Sequence, residues 1–205
     1  SEGMKGNIGG VILFDESIRQ KAEDGTPLVN IILDQGALPG IKVDQGLKPI
    51  GGSKESLTQG LEGLDERLKE YYSLGAKFTK WRAVIKVGDS LPSEEAVTGN
   101  MNALAEYAKL VQENNMVPMV EPEVLMDGNH TIDQCFEATS RSLECLFRLL
   151  KEKGVNIKGT ILKPNMVTSG SESSNKADID EVASQTIRCL KMHVPDDLPG
   201  VTFLS

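Results

Sequence analysis

Lys163 follows Thr160, Ile161 and Leu162, residue types suited to a fully covered strand, and precedes Pro164, which has no N–H to extend a ladder. Alone, such a lysine marks a strand's exit to solvent. Other β-branched runs carry charges in the same way: Lys42 with Asp44, Lys80 with Arg82, and Glu121 with Glu123, while Asn165 and Ser205 stand at the ends of two more. The members of each pair lie two residues apart, so on a strand they project from one face. Three lysines, an arginine and two glutamates on successive strands would converge on one small volume, which solvent exits do not do.

Such a volume supports amine chemistry. A lysine becomes a nucleophile at neutral pH when a neighbouring cation or an apolar wall disfavours its charged form, and Lys80, expected on the neighbouring strand, supplies that cation for Lys163. Attack on a ketone gives a carbinolamine, and a nearby carboxyl such as Glu121 can shuttle the protons that turn it into an imine. The protonated imine is an electron sink. Lys42 and Arg82 would hold an anionic group of the substrate, and Arg82 could equally pair with a carboxylate. A ketose phosphate fits this charge balance.

Composition narrows the alternatives. The 205 residues carry 30 acidic and 22 basic side chains, a net charge of -8, which argues against nucleic-acid or anionic-membrane binding. No apolar run approaches the ~20 residues needed to span a bilayer, and the start "SEGMKGNIGG" lacks a signal peptide's layout, so a cytoplasmic location is expected. Cys135, Cys145 and Cys189 are odd in number and form no C-x-x-C, which fits reduced thiols. With only His130 and His193, a three-histidine zinc site is excluded within this chain, and neither a metal nor another cofactor is expected.

The elements that must position these residues follow from periodicity. Runs suited to strands occupy 8–14, 40–44, 78–86, 117–124, 159–164 and 200–205, with helical patterns between them. Ser56-Leu57-Thr58-Gln59 and Thr131-Ile132-Asp133-Gln134 both fit a capping box, and Gly154 can close the helix that follows the second. Helices are expected over 93–115 and 178–193. This alternation predicts an α/β fold with a right-handed parallel sheet. No glycine-rich phosphate loop follows the first strand, which favours a (β/α)8 TIM barrel over a doubly wound sheet.

The segments "GGVILFDES", "GIKVDQG", "KWRAVIK", "VPMVEPEVL", "LKPNMVTSG" and "GVTFLS" together resemble the class I fructose-1,6-bisphosphate aldolases, in order and in spacing, from about Gly9 to the last residue. The resemblance implies reversible cleavage of fructose 1,6-bisphosphate to dihydroxyacetone phosphate and glyceraldehyde 3-phosphate, in glycolysis and gluconeogenesis, by a homotetramer. Carried over by position, Lys163 is the imine-forming residue, Glu121 its acid/base, Glu123 the group that orders the neighbouring charges, and Lys80 the cation that polarises the intermediate. Arg82 joins that polar cluster, Lys42 lies near the substrate phosphates, and Ser205 opens the phosphate-binding turn. Asp44 and Asn165 are read as groups that form turns or hold the others in place, and Trp81 as a packing residue.

Two features of the family do not appear in the sequence: a first strand with an aspartate acid/base, and the eighth strand with the tail beyond it. The six runs therefore correspond to strands two to seven of eight, and residues 1–205 to a single domain that is part of a barrel. Two other functions stay open at this level. One is a catalytically inactive aldolase-like protein with an interaction or scaffolding role. The other is a barrel that uses Lys163 to hold pyridoxal phosphate.

Overall fold

A computed structural model describes residues 2–203 of the chain. In chain order the strands are β1 (Gly10–Leu13), β2 (Leu38–Lys42), β3 (Leu47–Pro49), β4 (Ser56–Thr58), β5 (Phe78–Ile85), β6 (Val117–Val124), β7 (Ile161–Leu162) and β8 (Gly200–Val201). The helices are α1 (Asp15–Ile18), α2 (Leu28–Asp34), α3 (Leu64–Ser73), α4 (Glu94–Glu113), α5 (Ile132–Glu152) and α6 (Ile179–His193), with single 3-10 turns at Glu2–Met4 and Ile157–Gly159. Six strands form one parallel sheet in the order β1-β2-β5-β6-β7-β8, each reached from the last by a crossover, as a β/α barrel requires. Among the described residues β1 and β8 are its edges and do not pair with each other.

Local chemistry sets the helix starts. Thr131 Oγ1 accepts from the Gln134 N–H at 3.2 Å while Gln134 Oε1 accepts from the Thr131 N–H at 2.8 Å, so the expected capping box opens α5. Ser93 and Asp178 cap α4 and α6 in the simpler way, each accepting one orphan backbone N–H. Gly154, at φ 72°, turns the chain after α5 in a conformation that side chains with a Cβ resist.

The second expected capping box is not one. Ser56–Thr58 is β4, paired antiparallel with β3, and the next helix starts only at Leu64. The decisive partner is far away in sequence. Buried Asn100 on α4 donates to the Ser56 carbonyl at 2.9 Å and accepts from the Thr58 N–H at 3.0 Å, so the segment is held extended. Buried Glu55 fastens the same hairpin to the start of α4 by accepting from the Ser93 N–H at 2.9 Å.

The core lies between the sheet and α3, α4 and α5, around Trp81, Tyr107, Leu104, Leu143, Leu146 and Leu150. On β5, Trp81 meets the Tyr107 ring of α4 at 5.4 Å between centroids, and Thr79 shares a 2.7 Å hydrogen bond with the Tyr107 hydroxyl. Odd-numbered β5 residues thus face the helices, and Lys80 and Arg82 are left on the opposite face. At the β8 end, Met166, Val182, Ile187 and Phe203 line an open apolar groove of about 420 Å³ along α6, where Ile179 is 86% exposed.

Candidate active site

Strand register places the charges. Val120 on β6 pairs with Leu162 on β7, so one residue further along each strand Glu121 stands beside Lys163. Arg82 on β5 is paired with Glu121, and Lys42 on β2 with Lys80. β7 is short because Pro164 cannot continue it, but the Lys163 N–H still donates to the Val120 carbonyl at 2.9 Å. The lysine backbone is therefore tied to the sheet at the base of its side chain.

Glu121 is the centre of the arrangement. Its side chain is 3% exposed; Oε1 accepts from Lys163 Nζ at 2.5 Å, and Oε2 forms an ion pair with Lys80 Nζ at 2.6 Å that falls short of an aligned hydrogen bond. The expected direct neighbourhood of Lys80 and Lys163 is corrected here. β6 runs between β5 and β7, so a carboxylate lies between the two amines.

A second layer sits beside this triad. Arg82 Nε donates to Glu123 Oε2, and this contact, with the burial opposing it, holds the guanidinium pKa above its usual value. Asp44 Oδ1 pairs with Lys42 Nζ at 2.7 Å, while its Oδ2 accepts from the Arg82 N–H at 3.2 Å. Lys42 Nζ also donates to the Asp44 carbonyl at 2.9 Å and lies 5.9 Å from the centre of the exposed Phe14 ring. Four cations face three carboxylates, an excess of one positive charge. Arg82, with its side chain 42% exposed, is the cation most open to a ligand.

The structure thus gathers Lys42, Lys80, Arg82, Glu121, Glu123 and Lys163 on neighbouring strands, and Asp44 joins them as the tie between Lys42 and Arg82. The spacing of Asp44, two residues after Lys42, was the signal for it in the sequence. Ser205 lies outside the described residues. No group of three or more His, Cys, Asp or Glu suited to a metal ion occurs among the described residues. Chemically, the cluster offers one partly buried amine bonded to a buried carboxylate, with cations arranged for an anion.

The rim above it is fixed by backbone contacts. The N–H groups of Gly170, Ser171 and Glu172, in the loop after β7, donate to the carbonyls of His130, Met126 and Gly128 in the loop after β6. Gly170 approaches so closely that a Cβ there would lie 2.2 Å from the Gly128 carbonyl oxygen. Lys176 Nζ donates to the Gly170 carbonyl at 2.7 Å and also to that of Ser171.

Comparison with known proteins adds a family. A family model described as fructose-bisphosphate aldolase class-I matches residues 1–205. A probable fructose-bisphosphate aldolase class 1 of Xanthomonas campestris is 53% identical over 199 residues, 97% of this chain and 60% of that protein. The cytosolic fructose-bisphosphate aldolase 6 of Arabidopsis thaliana is 48% identical over 97% of this chain and 55% of its own length. Among solved structures, fructose-bisphosphate aldolase from Plasmodium falciparum, in complex with TRAP and a small-molecule inhibitor, superposes with a TM-score of 0.95 at 46% identity. That match covers 100% of this chain and 60% of the other. The chain spans between 55% and 60% of the length of these relatives.

Proposed function

We propose, from the premise that the chain belongs to the class I fructose-bisphosphate aldolase family, that Lys163 forms a Schiff base with the C2 ketone of fructose 1,6-bisphosphate. The protein carrying these residues then cleaves that sugar reversibly to dihydroxyacetone phosphate and glyceraldehyde 3-phosphate. The observation that most supports the reading is the single buried carboxylate of Glu121 held between Lys163 and Lys80.

A lysine paired in this way can pass its proton to the carboxylate and attack as the free amine. Addition to C2 gives a carbinolamine, and Glu121 returns a proton to the departing oxygen, which leaves as water. The resulting protonated imine draws in the electron pair of the C3–C4 bond while the C4 hydroxyl loses its proton. Glyceraldehyde 3-phosphate departs and an enamine remains; protonation at C3 and hydrolysis release dihydroxyacetone phosphate and restore the amine. Lys80 supplies a fixed positive charge beside these steps, and preorganised charge of this kind acts most strongly where water is excluded. Glu123 holds Arg82 in place, Arg82 and Lys42 receive the anionic ends of the sugar, and Ser205 opens a phosphate turn.

Family membership supports a homotetramer. Relatives named cytosolic in Arabidopsis thaliana and cytoplasmic in Spinacia oleracea support a cytoplasmic location. Among the described residues no helix is long and apolar enough to cross a membrane. The test is to incubate the protein with dihydroxyacetone phosphate and borohydride, which reduces the imine to a stable secondary amine, and to map the labelled peptide. Label on Lys163 is the expected result, and label on another lysine with none on Lys163 overturns the assignment. A catalytically silent, aldolase-like interaction protein would give neither label nor cleavage.

A further inference from the structure

The ladder between β6 and β7 has a gap beside the reactive pair. The Lys163 N–H donates to the Val120 carbonyl, and four residues further along β6 the Val124 N–H points to the same side. Midway between them is Pro122, which has no N–H to offer. Beyond the gap a side chain resumes the connection: Asn165 Oδ1 accepts from the Val124 N–H at 3.1 Å.

The other end of that amide is also committed. Asn165 Nδ2 donates to Thr139 Oγ1 on α5 at 3.1 Å and to the Met166 carbonyl at 3.1 Å, with Cys135 Sγ at 3.9 Å. Asn165 is 4% exposed and Thr139 2%. The amide thus ties the chain just after Lys163 to the strand that carries Glu121 and Glu123, and ties both to the helix behind them. A buried amide used as both donor and acceptor is costly to leave half satisfied, so its geometry is held tightly.

We infer that Asn165 is the positioning residue for Lys163: its side-chain amide ties the end of β7 back to β6 at Val124, one step beyond the ladder bond that Pro122 cannot make, and so fixes the Lys163 amine against Glu121. The inference rests on the Schiff-base reading of Lys163. Displacing reacting groups by about 1 Å costs on the order of 100-fold in rate. Asn165 is buried and its amide is bonded to Val124, Thr139 and Met166, so substrate binding should be spared.

The test uses Asn165→Leu and Asn165→Asp in the protein expressed from its complete reading frame. With dihydroxyacetone phosphate and borohydride, Asn165→Leu should form the Lys163 adduct roughly 10- to 100-fold more slowly, with kcat for cleavage falling in parallel and KM within about twofold. Asn165→Asp distinguishes positioning from bulk stability. A neutral carboxylic acid has one donor and one acceptor, enough to keep the Val124 bond and one of the two bonds the amide donates, and burial favours that form. Its adduct rate relative to the unsubstituted protein at each pH should therefore climb toward one as pH falls from 8 to 5.5. Should Asn165→Leu fail to fold, that pH dependence decides alone. Unchanged adduct rates in a folded Asn165→Leu, or a rate ratio for Asn165→Asp that does not vary with pH, overturn the role of Asn165 and leave the Schiff base standing. Absence of any adduct on Lys163 in the unsubstituted protein overturns the Schiff-base reading itself, and this inference with it.

Discussion

Replacing Glu121 by glutamine keeps the side-chain volume and removes one charge from beneath two amines. At present Lys163 Nζ and Lys80 Nζ lie 2.5 and 2.6 Å from the two oxygens of that carboxylate, whose side chain is 3% exposed. Two opposite charges about 4 Å apart attract by about 4 kcal/mol at the effective dielectric typical of partly buried sites. Breaking a buried pair costs roughly 3–5 kcal/mol, because the orphaned charge keeps its desolvation penalty. The lysine side chains are 12% and 19% exposed, so water relieves part of this, and we expect Glu121→Gln to lose about 3 kcal/mol of stability. Its effect on turnover should be larger than on binding, since a positioned proton shuttle contributes about 10²- to 10⁴-fold. The assay is single-turnover formation of the borohydride-trapped adduct on Lys163, alongside steady-state cleavage and urea unfolding. Adduct formation and kcat should fall about 10²- to 10³-fold with KM within about threefold. A variant with raised KM and unchanged kcat would refute the proton-carrying role, and unchanged stability would refute the pairing.

Burial lowers the pKa of His130, although the neighbouring Thr168 backbone opposes the shift, so its folded value lies below the unfolded one of about 6.5. Its contribution is complete above about pH 6.5 and is lost as pH falls from there, because the unfolded chain then binds the extra proton; urea titrations at pH 7 and 5 should show a smaller loss for His130→Gln. Burial also pushes the three thiols up, and Cys135 and Cys189 are buried while Cys145 is half-buried, so a maleimide at pH 8 should label Cys145 first, as read by peptide mass. Thr131→Ala removes one half of the α5 capping box and should cost about 1 kcal/mol by urea unfolding, with adduct formation on Lys163 unchanged. A polypeptide made of residues 1–205 alone would present the β1 and β8 edges and the apolar groove along α6, and should self-associate in sedimentation; a monodisperse, catalytically active monomer would refute that.

The residues that face one another across the strands were legible in the sequence because a strand repeats every two residues. Lys80 with Arg82, and Glu121 with Glu123, needed only that period to be assigned to common faces, and Pro164 marked the end of β7 by its missing N–H. The α5 cap was equally local, since Thr131 and Gln134 satisfy each other within one turn. Ser56–Gln59 carries the same pattern of residue types, yet it is a strand, because Asn100 reaches it from 42 and 44 residues away and holds its backbone extended. Likewise, the barrel reading put the strands of Lys80, Glu121 and Lys163 in succession, but that both amines reach the two oxygens of one buried carboxylate is decided only by the packed structure. Asn165 shows the same division: its position after Pro164 reads as a turn, and its bonds to Val124 and Thr139 exist only once β6 and α5 have packed on either side. Local periodicity determines which way a side chain points; what it meets there is decided by elements distant in the chain, whose approach is driven by burial of the core between them.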